Sequence, residues 1–180
     1  MLPRPLAEKL LRSSAGIETG GCLSYQHGDP NVPFFRPERG PESAIAAGFS
    51  LVSRSWLDVF GFETLSGDLN AFSEPNAAII PHSLAVKLFG SENPVGQTIA
   101  KSEGYREAAQ FTIVAVYRDF PKNASLKNDV YTDLKERLLQ DFNNCSTPYF
   151  VRVKQNADIR RIEQDLLPLS LIHISEPTRH

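Results

Sequence analysis

The clearest alternation of apolar and polar positions runs from Phe49 to Ile99. Residues 49–52 have the apolar character of a strand, and residues 55–60 carry an apolar face that predicts a short helix. Gly61 and Gly67 follow where a left-handed helix cap and a turn are needed, because glycine adopts positive φ without a steric penalty. The first half of this block therefore predicts a strand, a helix and a turn.

The second half of the block repeats the order of strand and helix. Ala77–Ile80 is an apolar run with the length of a buried strand. The next helix is predicted to begin at Ser83 and to end before Gly90, and residues 95–99 predict an edge strand after a turn. The helix presents one stripe that we expect to be buried, formed by Leu84, Val86, Leu88 and Phe89.

Weaker patterns flank this block. Residues 111–117 are rich in β-branched and aromatic side chains and predict a strand, as do residues 149–153. Asp158 is the expected N-cap of a helix. The buried stripe of that helix is expected to contain Ile159, Ile162 and Leu166. Further short helices are predicted at Pro5–Arg12 and within Asp129–Asp141.

Strands that alternate with short helices and polar hairpins favour an α+β domain over a β sandwich. The expected architecture is a mixed sheet with split βαβ connections, short helices and an inserted strand-rich subdomain. With 180 residues, the chain is long enough to bury the core of one such domain.

The charge of the chain excludes one class of function. The formal net charge is −2 and the calculated pI is about 6.1, so no basic field is available to attract nucleic acid. No window reaches the roughly 18 consecutive apolar residues of a membrane span. The first residues also lack the apolar segment of a signal peptide, so we expect no export signal in the chain as given.

Two cysteines, Cys22 and Cys145, stand far apart in the sequence. Without a CxxC pattern or a cluster of cysteine and histidine, they do not indicate a zinc site. We interpret them as buried thiols. Pairing between them in an oxidising compartment stays open, because the sequence does not reveal the distance between their Cβ atoms.

Catalytic motifs are absent from the sequence. It contains no phosphate-binding glycine loop and no GxSxG nucleophile elbow. His82 beside Ser83 would support a hydrolase only if a carboxylate joined them in a pocket. We interpret His82 as a residue at the start of a helix and His27 as a loop residue. We therefore expect no catalytic, cofactor-binding or metal-binding residues.

An acidic group and an aromatic group each allow a functional alternative. The carboxylates are Asp58, Glu63, Asp68 and Glu74. Their spacing does not match a calcium loop, so we predict a solvated surface.

The aromatic residues are Trp56, Phe60, Phe62 and Phe72. Core packing is the favoured interpretation of these rings, and the alternative is an exposed patch through which a stand-alone periplasmic adaptor binds a protein partner.

The last residues, 169–180, differ in character from the rest. Leu169–Arg179 resembles the translation of a transposase sequencing adapter joined to a truncated reading frame. We therefore expect residues 1–168 to form the domain, residues 169–180 to be foreign, and the natural protein to continue past about residue 168. His173, Glu176 and His180 are therefore excluded from functional arguments.

The ordered segments resemble the MacB-like periplasmic core domain of ABC transporter permeases of the MacB and FtsX group. In the central block, the matching segments are Phe49–Val52, Trp56–Phe62, Leu65–Asp68, Ser73–Ile80, Ser83–Gly90 and Asn93–Ile99. The later ones are Phe111–Val116, Arg118–Pro121 and Tyr149–Asp158. The resemblance covers most of residues 6 to 167.

The resemblance implies a porter-like fold and an extracytoplasmic domain set between transmembrane helices of a bacterial inner-membrane permease. Such a domain is not an enzyme and needs no cofactor. It couples ATP hydrolysis in the cytoplasm to movement outside. The implied partners are the transmembrane helices of the parent permease and, through them, an ABC ATPase subunit. Periplasmic or outer-membrane proteins and a second permease copy are further implied partners.

Overall fold

The computed structural model describes residues 14–24, 31–103, 106–134 and 148–171. These residues form nine strands and three α helices. The strands are β1 (Ile17–Ser24), β2 (Val32–Phe35), β3 (Ile45–Val52), β4 (Thr64–Gly67), β5 (Ala77–Pro81), β6 (Thr98–Glu103), β7 (Arg106–Tyr117), β8 (Asp129–Asp133) and β9 (Tyr149–Val153). The helices are α1 (Arg54–Phe60), α2 (His82–Phe89) and α3 (Ile159–Leu171).

Six of the strands close into a circuit. Their hydrogen-bonded order is β2-β6-β7-β5-β8-β3, and β3 pairs again with β2. Two pairs in the circuit, β3 with β8 and β5 with β7, are parallel, and the others are antiparallel. β1 and β9 extend the sheet from β3, and β4 extends it from β7. The predicted α+β class with a mixed sheet is confirmed.

The sheet separates two apolar cores. Alternate side chains of a strand point to opposite faces, so the neighbours Ile79 and Ile80 enter different cores. Ile80 packs beneath α2 with Phe49, whereas Ile79 packs with Trp56 of α1. A strand covered on both faces is apolar at every position. This explains the uninterrupted apolar run that predicted β5.

Helix α2 agrees with the sequence prediction except at one position. Leu84, Leu88 and Phe89 are buried, but Val86 is 49% exposed and Ala85 is buried instead. The expected stripe was therefore wrong at Val86. A helix turns by about 100° per residue, so Ala85 lies on the arc between Leu84 and Phe89, whereas Val86 lies outside it.

Helix α1 ends as the sequence predicts. Gly61 adopts the left-handed conformation, with φ of 61°, and its N–H donates to the carbonyl oxygen of Leu57 at 3.0 Å. Gly67 also has a positive φ, of 85°. Both predictions are confirmed.

One predicted element was wrong in part. Residues 95–97 form a turn, and the strand that follows, β6, is no edge strand because it pairs with both β2 and β7. Asp129–Asp133 is the buried strand β8. The helix predicted within Asp129–Asp141 rested on Leu134, Leu138 and Leu139, and residues 135–141 lie outside the described residues, as does the helix predicted at Pro5–Arg12.

A buried tyrosine joins β7 to β8. The hydroxyl of Tyr117 donates to the carbonyl oxygen of Asp129 at 2.7 Å. Burial raises the pKa of Tyr117 well above its ordinary value, and the nearby Tyr131, Asp129 and Asp119 act in the same direction. The folded protein therefore keeps this phenol neutral at pH values where the unfolded chain loses the proton.

This difference predicts a loss of stability in alkali. Above about pH 10 the unfolded state binds fewer protons than the folded state at Tyr117, so the free energy of unfolding falls as the pH rises, by at most about 1.4 kcal/mol per pH unit. In Tyr117→Phe this contribution to the pH dependence of the free energy of unfolding is absent. The variant also loses the hydrogen bond to Asp129, which lowers the free energy of unfolding at neutral pH by about 1 kcal/mol. Urea unfolding at several pH values measures both. Equal alkaline slopes in the two proteins would contradict the prediction.

Candidate functional surfaces

The four aromatic residues singled out in the sequence belong to an apolar core and do not form an exposed patch. Trp56 and Phe72 are fully buried. The ring centroid of Trp56 lies 4.7 Å from that of Phe60, 5.7 Å from that of Phe62 and 5.2 Å from that of Tyr131. The prediction of core packing is confirmed, and the alternative of an exposed partner patch on these rings was wrong.

His82 and Ser83 do lie beside a carboxylate at the start of α2. Both carboxylate oxygens of Asp119 accept a hydrogen bond from the backbone N–H of Ser83, at 3.1 and 3.2 Å. A negative charge there is stabilised by the partial positive charge of the helix N-terminus. Asp119 is therefore a helix cap supplied from the end of β7. His82 is an exposed residue at the helix start, as predicted.

The four acidic residues are exposed, which confirms the predicted solvated surface. Three of them have separate structural roles. Asp58 pairs with Arg54 one helical turn away at 2.7 Å, and Glu63 pairs with Arg118 at 2.7 Å. Asp68 accepts a hydrogen bond from a backbone N–H of the following 3-10 turn at 2.8 Å. No group of three or more His, Cys, Asp or Glu residues in the described ranges could hold a metal ion.

Cys22 is fully buried in β1, in agreement with its interpretation as a buried residue. Cys145 and His27 lie outside the described residues.

One polar side chain that joins several elements is a residue that the sequence analysis did not single out. Arg152 of β9 donates from Nη2 and Nε to the carbonyl oxygen of Val59, at 2.9 and 3.3 Å, and from Nη2 to the carbonyl oxygen of Asp58. These carbonyls belong to the last turn of α1, where a cation is favourable. Nη1 also lies 3.8 Å from the carboxylate of Glu18 in β1. Arg152 thus connects α1, β1 and β9.

An arginine inside the otherwise apolar and aromatic segment Tyr149–Val153 was the available signal for this role. A single charged side chain in an apolar strand is expected to have a polar partner. The partner could not be identified, since Val59 is 93 positions away in the sequence.

An open cavity of about 810 Å³ lies between the start of β1 and the start of α3. Its lining includes Gly16, Lys154, Arg161 and Asp165. Asp158 accepts hydrogen bonds from two backbone N–H groups in the first turn of α3, so the predicted N-cap is confirmed. Ile162 is buried, whereas Ile159 is 51% exposed, so the predicted stripe was wrong at Ile159. The side chain of Leu166 lies outside the described residues.

A smaller groove of about 140 Å³ lies between α2 and β4, and we call it the α2–β4 groove. Its walls carry two large apolar side chains that are exposed to solvent, Leu65 at 42% and Val86 at 49%. The residues that line it are Leu65, Ser66, His82, Ala85, Val86, Gly90, Glu92, Pro94 and Val116. A groove that combines exposed apolar side chains with the polar Ser66, His82 and Glu92 is a candidate binding site.

Comparison with protein families identifies the domain. The model of the MacB-like periplasmic core domain matches residues 24–169. The chain belongs to this family. This confirms the family resemblance that the order of the sequence segments indicated for the MacB-like domain. A comparison with curated proteins gave no match.

Solved structures share the fold of this MacB-like domain. A permease-protein domain from Porphyromonas gingivalis matches with a TM-score of 0.72 and 20% identity, over 96% of this chain and 70% of that one. The periplasmic region of MacB from Actinobacillus actinomycetemcomitans gives 0.65 and 16%, over 95% and 74%. The extracellular domain of the ABC-type transporter YknZ from Gram-positive bacteria gives 0.65 and 15%, over 97% and 86%.

No helix within the described residues of the MacB-like domain has the length and apolar character needed to cross a membrane.

Proposed function

We propose that this MacB-like domain is the non-catalytic extracytoplasmic part of an ABC transporter permease. In this proposal it lies on the periplasmic side of the bacterial inner membrane and couples ATP hydrolysis by a cytoplasmic ATPase subunit to export or to periplasmic mechanical signalling. The observation that carries the proposal is the family match over residues 24–169. We further propose that residues 169–180 are foreign and that the natural chain continues.

The contacts of the domain support transmission by a rigid body. The six-stranded circuit joins segments from residues 32 to 133 through hydrogen bonds, and its side chains pack into two cores. At one end of the sheet, Arg152 holds the last turn of α1 against β9. A force applied to β9 would therefore move α1 and the circuit together, because the hydrogen bonds and packed side chains between them resist independent motion.

The parent gene gives the first test. The proposal expects apolar spans of about 20 residues encoded on both sides of this domain, and it expects native coding sequence in place of residues 169–180. A complete reading frame without such spans would contradict the membrane placement.

Spin labels test the mechanical part in the reconstituted parent permease. The exposed positions Val86 and Val151 are replaced by cysteine and labelled, after Cys22 and Cys145 are replaced by alanine. The distance between these two labels should not change when ATP is bound or hydrolysed. The distance from either label to one in the transmembrane part should change. A constant second distance in all nucleotide states would contradict coupling.

Arg152→Met tests the proposed contact between α1 and β9. Loss of the guanidinium leaves two carbonyl oxygens of α1 without this donor, so we expect a broader distribution of distances between a label on α1 at Asp58 and the label at Val151. Arg160→Met is the matched control, since Arg160 is an exposed arginine of α3. Equal distributions in both variants would show that Arg152 does not fix α1.

A further inference from the structure

Two strands have a single neighbour in the described sheet, β4 and β9. β4 has only four residues and pairs irregularly with β7, and short or bulged strands are poor templates for a further strand. β9 has five residues, and the irregularity in its pairing with β1 comes from the extra residue Glu18, which belongs to β1. β9 is therefore the regular open edge of the described sheet.

The hydrogen bonds at the two ends of β9 show which of its backbone groups face this edge. The carbonyl oxygen of Pro148, just before the strand, accepts from the N–H of Leu23 at 3.3 Å. The N–H of Lys154, just after the strand, donates to the carbonyl oxygen of Gly16 at 2.9 Å. In an antiparallel pair, the backbone groups of alternate residues point to the same side. The even-numbered residues therefore face β1, and the N–H and C=O groups of the central Val151 face the open edge.

The side chains of β9 leave this edge apolar. Val151 and Val153 are 44% and 37% exposed. The single charge in the strand, Arg152, already contacts the carbonyl oxygen of Val59 and lies 3.8 Å from Glu18. An inward-pointing charge protects an edge because a further strand would bury it without a partner. Since Arg152 has its partners within the domain, it does not protect β9 in this way.

The sequence of β9 is complementary to itself in an antiparallel register. Pairing centred on Val151 places this residue opposite its own copy, and the two valines exchange both backbone hydrogen bonds. The same register places Val153 opposite Tyr149, and Arg152 opposite Phe150. β-Branched and aromatic residues form stabilising cross-strand pairs, and no two like charges stand directly opposite each other. A second copy of this chain is therefore the occupant that the edge fits.

The helix above the sheet leaves room for this pairing. Helix α1 packs above β1, where Gly21 lies against the backbone of Trp56. In a dimer that joins two β9 strands, the two copies of β1 are three strand spacings apart, about 14 Å. Packed helices need only about 8–10 Å between their axes. The two α1 helices therefore do not collide when the two sheets become continuous.

We propose that two copies of this chain associate through their β9 strands, which pair antiparallel about Val151 and join the two sheets into one. One strand from each copy gives an interface smaller than that of a stable dimer, so the expected dissociation constant is about 0.1–1 mM. The association requires neither membrane attachment nor ATP hydrolysis. Its failure and the failure of the proposed transporter function are therefore distinguishable.

Sedimentation equilibrium and NMR of the 180-residue chain test the proposal at concentrations from about 10 µM to about 1 mM. We expect a concentration-dependent dimer, with changes in amide chemical shift concentrated in Tyr149–Val153. The amide of Val151 should become protected from hydrogen exchange in the concentrated sample, because it donates to the second copy.

Charge substitutions at the centre of the pairing test its register. Val151→Lys and Val151→Glu each place like charges opposite each other, so each variant alone should dissociate at least about fivefold more readily. A mixture of the two variants should form a heterodimer, because lysine then faces glutamate. Val86→Lys is the matched control, since Val86 is a similarly exposed valine of α2, at 49%, and should leave the dimer unchanged. Urea unfolding verifies that all three variants fold.

Several results would overturn the proposal. A monomer up to about 1 mM, a dimer that Val151→Lys leaves unchanged, or a mixture of the two charge variants that associates no better than either alone would each exclude the pairing. An equal loss in Val86→Lys would show that exposed apolar surface in general causes the association. In a longer chain with the native flanking sequence, a monomer whose Val151 amide is still protected would identify a strand of the parent protein as the occupant instead.

Discussion

Replacement of Gly21 by alanine is expected to lower the free energy of unfolding by about 3 kcal/mol or more. Gly21 lies in β1 opposite Phe150 of β9 and beneath α1. A Cβ atom at this position would lie 2.3 Å from the backbone nitrogen of Trp56 and 2.4 Å from its Cα. These are backbone atoms and cannot rotate aside, so α1 would have to move away from β1. Urea unfolding followed by fluorescence of Trp56, the single tryptophan, measures the loss.

Gly61→Ala is the matched control for Gly21→Ala. Gly61 ends the same helix with a positive φ of 61°, and the nearest atom to an added Cβ is Nη2 of Arg152 at 3.8 Å. Alanine there meets backbone strain without a clash, at a cost of about 1 kcal/mol. If Gly21→Ala were no more destabilising than Gly61→Ala, the close approach of α1 to β1 would be refuted.

The sequence predicted the elements of this fold better than their arrangement. Each successful prediction used a local property of the chain. The alternation around Phe49 reflects which face of an element is exposed, the apolar run Ala77–Ile80 reflects a buried strand, and Gly61 reflects a positive φ. Closure of the circuit depends instead on pairings such as Val32 with Ala47 and Phe34 with Lys101. Non-local pairings leave little trace in composition or periodicity, since many strands of similar character could pair.

The same distinction explains the candidate surfaces. The aromatic residues near Trp56 could be assigned to the core because their spacing fits a helix and adjoining strands. The exposure of Val86 follows from helical geometry, because a rotation of about 100° per residue places Ala85, and not Val86, on the arc that holds Leu84 and Phe89. The groove beside Leu65 could not be predicted, since it depends on β4 lying next to α2 in the folded chain, and these elements are joined by non-local pairings.

Replacement of Trp56 by alanine is the second change with a large expected effect, a loss of about 3–5 kcal/mol. The ring of Trp56 has no exposed surface and occupies the centre of the aromatic core. Its removal leaves a void bounded by Phe60, Phe62 and Tyr131, which are held by separate elements and cannot all move inward. Because the variant lacks tryptophan, unfolding is followed by circular dichroism. Val151→Ala, at an exposed position, should change stability by no more than about 0.5 kcal/mol.

Trp56→Phe separates the apolar ring from its polar atom. Within the described residues, Nε1 of Trp56 is buried and has no hydrogen-bond partner, and such a donor costs about 1–3 kcal/mol. Phenylalanine keeps much of the apolar ring and removes the unpaired donor. The stabilisation from removing that donor offsets part of the packing energy that is lost. We expect Trp56→Phe to be destabilised by less than about 2 kcal/mol. A loss as large as that of Trp56→Ala would contradict this prediction.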